Sequence, residues 1–208
     1  MMDRRALLIG LGTSLVATSC SSGESQPGRE APLPATQRAA RLIDAARQQI
    51  GVTVRYDGGY THLPFPGGDV PRSRGACTDV LIRAFRDAFG IDLQALVNED
   101  MNRSFNSYPQ IWGLRAPDPN IDHRRVPNLM TWLQRSRARR KVPPDAWTWQ
   151  PGDIFTALVA GTGTHIGLVS DRRGSRSPMI IHNIGAGARE EDGLLQWPLT
   201  GRFRFAVD

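Results

Sequence analysis

The apolar residues of this chain change period past its middle, and that change constrains the fold more than any other feature. Up to about residue 137 the period is helical. Ala39, Leu42, Ile43, Ala46 and Ile50 share one face of a helix over 36–50, with Thr36 as cap and Gly51 as stop. Val80, Leu81, Ala84, Phe85 and Ala88 form a second stripe over 78–89, ended by Gly90. Leu93, Leu96, Val97 and Met101 predict a third helix, and Leu129, Trp132 and Leu133 a fourth within 126–137. Beyond Pro151-Gly152-Asp153 the apolar runs become short and strand-like, at 154–159, 165–170, 179–184 and 203–207. One short alternating run, 52–56, precedes the second helix. Helices first and strands afterwards predict an α+β fold on a mainly antiparallel sheet.

The N-terminus sets the compartment. Asp3-Arg4-Arg5 leads into an apolar stretch from Ala6 to Ala17, closed by Thr18-Ser19-Cys20. That is the order of a secretory signal, and its apolar part is too short to span a bilayer as a helix. Cys20-Ser21-Ser22-Gly23 resembles the lipobox of bacterial lipoproteins, with Cys20 as the lipidated residue, and Arg4-Arg5-Ala6-Leu7-Leu8 resembles a twin-arginine export signal. Residues 21–35 read as a Ser/Gly/Pro-rich linker, and 36–208 as one domain. The expectation is an exported protein, periplasmic or at the cell surface, held to the membrane by a lipid or released after cleavage.

Export sharpens the meaning of the cysteines. There are only two, Cys20 and Cys77, and processing removes the first from the fold. Cys77 then has no disulfide partner outside the cytoplasm, so it is either buried and inert or kept because it reacts. It follows Gly75-Ala76 and opens the second helical stripe, where free N–H groups and the helix dipole favour a thiolate and could hold an oxyanion. A thiol nucleophile needs a base, which histidine supplies best near neutral pH. His165 opens one predicted strand and His182 lies on the next, close enough in an antiparallel pair for the two rings to meet. Cysteine at a helix start, histidine on a strand and a polar group on the following strand is the order of a papain-like triad.

Two sets of motifs carry a resemblance. Pro151-Gly152-Asp153-Ile154, His165-Ile166-Gly167-Leu168-Val169 and Ile180-Ile181-His182 resemble the second half of the NlpC-type papain-like peptidases. Pro66-Gly67-Gly68-Asp69-Val70, Gly75-Ala76-Cys77-Thr78-Asp79-Val80, the stretch from Asn120 to Leu129, and His182-Asn183-Ile184-Gly185-Ala186-Gly187 are similar to the family catalogued as domain of unknown function 1287, over about residues 40–205. The resemblance implies a papain-like fold with Cys77 as nucleophile, His165 as base and His182 as the orienting residue; Asn183 is the alternative orienter. This chain has Thr78-Asp79 where the wall peptidases carry a small Ser-Gly pair, and residues 102–144 read as an insertion.

Other residues have two readings each. Tyr56 resembles a tyrosine that lies near the cysteine in the wall peptidases, or it packs in the core. Asp79 is a site residue or the partner of Arg83 one turn on. Asp122 and His123 serve the site or cap the fourth helix. Arg124 and Arg125 either recognise an acidic peptide through charge-assisted forks or pin the insertion down. The net charge of +6, from 26 basic and 20 acidic residues, favours anionic partners. Yet the densest basic run, Arg135 to Lys141, reads as a solvated helix end without interleaved aromatics, so no nucleic-acid partner is expected. No paired metal-ligand spacing stands out, and no metal or cofactor is assigned. The expected function is a monomeric cysteine hydrolase cleaving amide bonds in the cell envelope, with peptidoglycan stem peptides as substrate. The alternatives are an acyl-transferase or deacylase with the same triad, or a non-catalytic wall-binding module.

Overall fold

The computed structural model describes residues 35–161 and 163–205. The export signal, Cys20 and the linker as far as Pro34 lie outside the described residues. Four α-helices and one six-stranded antiparallel sheet stand among those described.

Helix α1 (Gln37–Arg47) starts where expected, with the Thr36 hydroxyl accepting from the Ala39 amide at 3.1 Å. It ends three residues earlier than its apolar pattern, in turns before Gly51, whose φ of +81° suits glycine. Helix α2 (Cys77–Phe89) buries its whole apolar stripe and stops at Gly90, again left-handed at φ +69°. Helices α3 (Leu93–Ser104) and α4 (Val126–Arg135) follow. The Asp92 carboxylate caps α3, and Pro127 sits in the first turn of α4, where a missing N–H costs nothing.

A parallel pair, β1 (Arg55–Tyr56) and β2 (Arg74–Gly75), is all that forms from the expected strand at 52–56 and the loop after it. The large sheet runs in the order β3 (Arg139–Arg140), β8 (Leu199–Phe203), β4 (Ile154–Val159), β5 (Gly163–Arg173), β6 (Pro178–Asn183), β7 (Ala188–Glu191). Three of its strands differ from expectation. The closing strand lies at Leu199–Phe203 rather than 203–207, the basic run expected as a helix end supplies β3, and β7 was not expected. Both edge strands are rich in charge, which discourages pairing with a further strand.

The sheet separates two apolar layers. Ile154, Ile166, Leu168, Ile181 and Phe203 pack with the helices, through Ile43, Val80, Leu81, Phe85 and Leu129. Phe155, Ala157, Val169 and Ile180 pack on the other side with Trp149, Leu194 and the half-buried Trp197. The Pro-Gly-Asp turn ahead of β4 has a structural role. Asp153, fully buried, takes the Nε of Arg202 at 2.6 Å and of Arg204 at 2.7 Å, which fastens β8 beside β4.

Candidate active site

Cys77 is the first residue of α2, and its surroundings are built by two buried arginines. Arg83, one and a half turns along the helix and fully buried, reaches the Asp69 carboxylate (2.9 Å) and the carbonyls of Val70 (3.0 Å) and Arg74 (2.9 Å). It ties the preceding loop to the helix and brings Gly75 opposite Tyr56 in the β1–β2 register. A side chain at Gly75 would meet the Asp79 Cβ at 3.0 Å and an Arg83 nitrogen at 3.1 Å, so glycine lets this loop lie close against the first turns of α2. Asp79 accepts from the Ala76 amide (2.6 Å) and so caps the helix from its third residue. The expected partner of Asp79 was Arg83; its partner is Arg124, through bonds of 3.0 and 2.9 Å. The two side chains are almost fully buried, and Arg124 extends to the carbonyls of Gly59 and Asp57, at 2.8 Å each. Burial decides the pairing: each of these four charges needs a full complement of partners, and only the loops supply it.

The sulfur of Cys77 lies within hydrogen-bonding reach of the Ile166 and Thr78 amides and of the Tyr56 hydroxyl. The strands explain the first contact. In β5 the Val169 amide donates to Asp153 ahead of β4, so by alternation the Ile166 amide points the other way, toward β6. The β5–β6 ladder pairs Leu168 with Ile181 and Val169 with Ile180 but does not extend to Ile166. The strands part there, and the thiol takes up the free amide directly after His165.

His165 and His182 meet on the sheet. His165 Nε2 lies 2.8 Å from His182 Nδ1, with both rings buried. His182 Nε2 lies in turn 2.9 Å from a Glu191 carboxylate oxygen. The Trp197 ring stands edge-on 5.6 Å from His165 and tilted 5.9 Å from His182. Gly167 makes the crossing possible: any side chain there would strike the Phe155 ring at 2.6 Å and the His182 Cβ at 2.9 Å. Asn183, the alternative orienter, is occupied elsewhere. It donates to the Gly75 carbonyl at 2.8 Å and accepts from the Gly185 amide, so it holds the loop before Cys77 rather than the imidazole.

Burial sets the resting protonation. It pushes the Cys77 thiol up to about 11, outweighing the two amides. Burial, reinforced by His182, pulls His165 down to about 3, and burial also lowers His182 against the opposing pull of Glu191. The sequence argument from the helix dipole favoured a thiolate; the buried geometry gives a neutral thiol on the helix face of the sheet and a neutral imidazole that packs with Phe155 and Trp197. Tyr56 is raised to about 12 by burial and by the thiol, and its hydroxyl remains a donor.

The remaining residues singled out in the sequence form a separate cluster. Asp122 accepts from the Asp118 amide (2.6 Å) and pairs with Arg125 (2.9 Å), whose guanidinium stacks 4.2 Å over Trp112. His123 is buried, held down at about 4 by burial and by Arg124, and its Nδ1 has no hydrogen-bond partner. Among the described residues no three His, Cys, Asp or Glu side chains are grouped to hold a metal ion. Glu191 and Trp197 escaped the sequence argument, and Asp69 and Gly167 entered it only as members of motifs. Gly167 stood in the His165-Ile166-Gly167 run and Asp69 in the Pro66-Gly67-Gly68-Asp69-Val70 run.

The model of the family described as Domain of unknown function (DUF1287) matches residues 43–205, which include every residue of the site described above. The protein described as Uncharacterized protein YijF of Escherichia coli (strain K12) is 51% identical over 169 residues, covering 80% of this chain and 81% of that protein.

Proposed function

This chain belongs to the DUF1287 family, and from that premise we propose that it is a papain-like thiol hydrolase of the NlpC type, acting on amide bonds of the cell envelope. The observation that carries the reading is the pair of buried imidazoles, 2.8 Å apart, ending one residue from the amide that holds the Cys77 sulfur. A buried histidine pair contributes little to stability that apolar residues would not, so its cost argues for chemistry.

In this mechanism the Cys77 sulfur attacks the amide carbonyl carbon while its proton passes to His165 Nδ1, the ring nitrogen that His182 does not engage; the transfer requires the His165 ring, which packs with Phe155 and Trp197, to reach the sulfur where β5 and β6 part. The oxyanion that forms is stabilised by donors already gathered at the sulfur, the Thr78 amide and the Tyr56 hydroxyl. The C–N bond then breaks, and the leaving amine takes the proton from His165, giving a thioester on Cys77. Water, deprotonated by His165, attacks the thioester carbonyl; the acid leaves and the thiol is restored. No redox step or cofactor enters this balance. His182 orients the base throughout.

The substrate class follows from the compartment. An exported, lipid-anchored enzyme meets peptidoglycan as its chief amide polymer, and stem peptides are the proposed substrate. The decisive experiment is mass spectrometry of muropeptides after purified sacculi are incubated with wild-type and Cys77→Ala protein. New peptide termini with the wild type alone support the reading. Equal patterns from both proteins defeat it, and turnover of acyl thioesters without release from sacculi would move the same chemistry to acyl groups.

A further inference from the structure

Glu191 is brought to His182 by strand register. His182 pairs with Arg189 across the β6–β7 ladder, so Arg189 and, two residues on, Glu191 project from the His182 face. Glu190, between them, projects from the other face and meets Arg47, Ser170 and Arg172. One Glu191 oxygen lies 2.9 Å from His182 Nε2, and the other lies 3.8 Å from the Arg189 guanidinium. His182 itself is fully buried, so no solvent competes for either of its ring nitrogens.

This contact determines where every hydrogen in the relay must be. An ionised carboxylate only accepts, so His182 Nε2 carries the hydrogen. A neutral imidazole carries one, which leaves His182 Nδ1 with a lone pair. The 2.8 Å contact between the rings then requires His165 Nε2 to donate, and His165 Nδ1 is left with the lone pair. Burial keeps both rings neutral, which is the condition for this chain of reasoning.

We propose that Glu191 is a positioning residue that selects the tautomer of His165 through His182, so that the nitrogen left free is a base rather than a donor. The use of that nitrogen, to take the Cys77 proton, rests on the thiol-hydrolase reading above; the tautomer itself rests on the contacts between two buried rings and the carboxylate. Without the carboxylate, His182 is free to carry its hydrogen on Nδ1 and donate to His165 Nε2. His165 would then hold its own hydrogen on Nδ1 and have no lone pair to offer the thiol.

The test uses the whole chain, with histidine labelled in its ring nitrogens, as wild type, Glu191→Ala and Glu191→Gln. Long-range proton–nitrogen NMR distinguishes protonated from lone-pair nitrogens on each ring. Wild type should show His165 protonated at Nε2 alone. Both variants should show a mixed or inverted His165, because alanine removes the acceptor and glutamine can donate as well as accept. Peptide release from sacculi should fall roughly tenfold or more through kcat, with KM little changed. Glu191 is partly exposed on an edge strand, so thermal melting should change little in either variant. An unchanged His165 tautomer in both variants overturns the inference, as does an altered tautomer with undiminished turnover. If the tautomer shifts as stated but wild type releases nothing from sacculi, the selector stands and the hydrolase reading falls.

Discussion

Lowering the pH from 8 to 5 should remove roughly 4 kcal/mol of stability, and histidines rather than carboxylates should be responsible. His123 and His165, only 2% and 3% exposed, are buried as neutral rings. Burial pulls them to about 4 and about 3, against about 6.5 in the unfolded chain. At pH 5 the unfolded chain therefore binds a proton on each ring that the folded chain refuses, and acid favours unfolding. The stability is intact above the unfolded value and drains away as pH falls below about 6.5, until each ring protonates in place. At pH 5 the deficit is about 1.5 pH units, or about 2 kcal/mol per ring. His182, lowered in the same direction, adds to it. The carboxylates held low by partners, such as Asp87, Asp100 and Glu190, lose their contribution only below about pH 4. The window from pH 6.5 to 5 thus isolates the imidazoles. Urea unfolding at half-unit steps measures the slope, and melting should fall by about 2–4 °C per kcal/mol lost. His165→Gln should reduce the slope near pH 5.5 by close to one proton. A flat profile from pH 8 to 5 would refute the assignment of these rings as buried and neutral.

Two further outcomes follow from the same geometry. Alkylation of Cys77 by iodoacetamide should climb about tenfold per pH unit from pH 7 past pH 9, because burial holds the thiol up at about 11; a plateau below pH 7 would reveal a resting thiolate–imidazolium pair instead. Arg124→Ala should cost about 3–5 kcal/mol in urea titration, since it strands the buried Asp79, whereas Arg125→Ala should cost about 1 kcal/mol; equal losses would mean that the Asp79 pair does not hold the loop at 57–59.

What the sequence made legible was local. Thr36, Gly51 and Gly90 punctuate their helices through groups within a few residues, and the runs at 154–159 and 179–184 are apolar because both sheet faces bury them there. Cys77, His165 and His182 could be picked out because each opens or lies within such an element. Strands β3 and β7 carry no comparable pattern, since an edge strand needs hydrogen bonds more than apolar side chains. Glu191 was invisible for a related reason: whether Glu190 or Glu191 meets His182 depends on the β6–β7 register, and a slip of one residue exchanges them. Asp79 shows the complementary failure. Arg83, four residues on, is the partner that helix spacing favours, but a fully buried arginine needs more acceptors than one carboxylate offers. The loop from Asp69 to Arg74 supplies them, and Asp79 is left to Arg124.

The state of Cys77 turns on a comparison of magnitudes that sequence position alone cannot make. A helix N-terminus favours a thiolate by about 0.3–1 kcal/mol in exposed settings and up to about 2 when partly buried. Burial at Cys77 works against it: even with the Ile166 and Thr78 amides and the Tyr56 hydroxyl in place, the thiol rises from 9.0 to about 11, close to 3 kcal/mol against the charged form. Desolvation wins, so Cys77 rests as a thiol. In the proposed mechanism its proton then leaves during attack on the carbonyl rather than before it, and the base has to be waiting with a lone pair. His165 meets that condition only in the tautomer with hydrogen on Nε2, which the contacts through His182 to Glu191 impose. A site that began as an ion pair would have His165 protonated on both nitrogens and would have little need of a tautomer selector. In the proposed mechanism the buried thiol and the carboxylate-capped histidine pair act together, and the alkylation profile and the ring-nitrogen spectra test them independently.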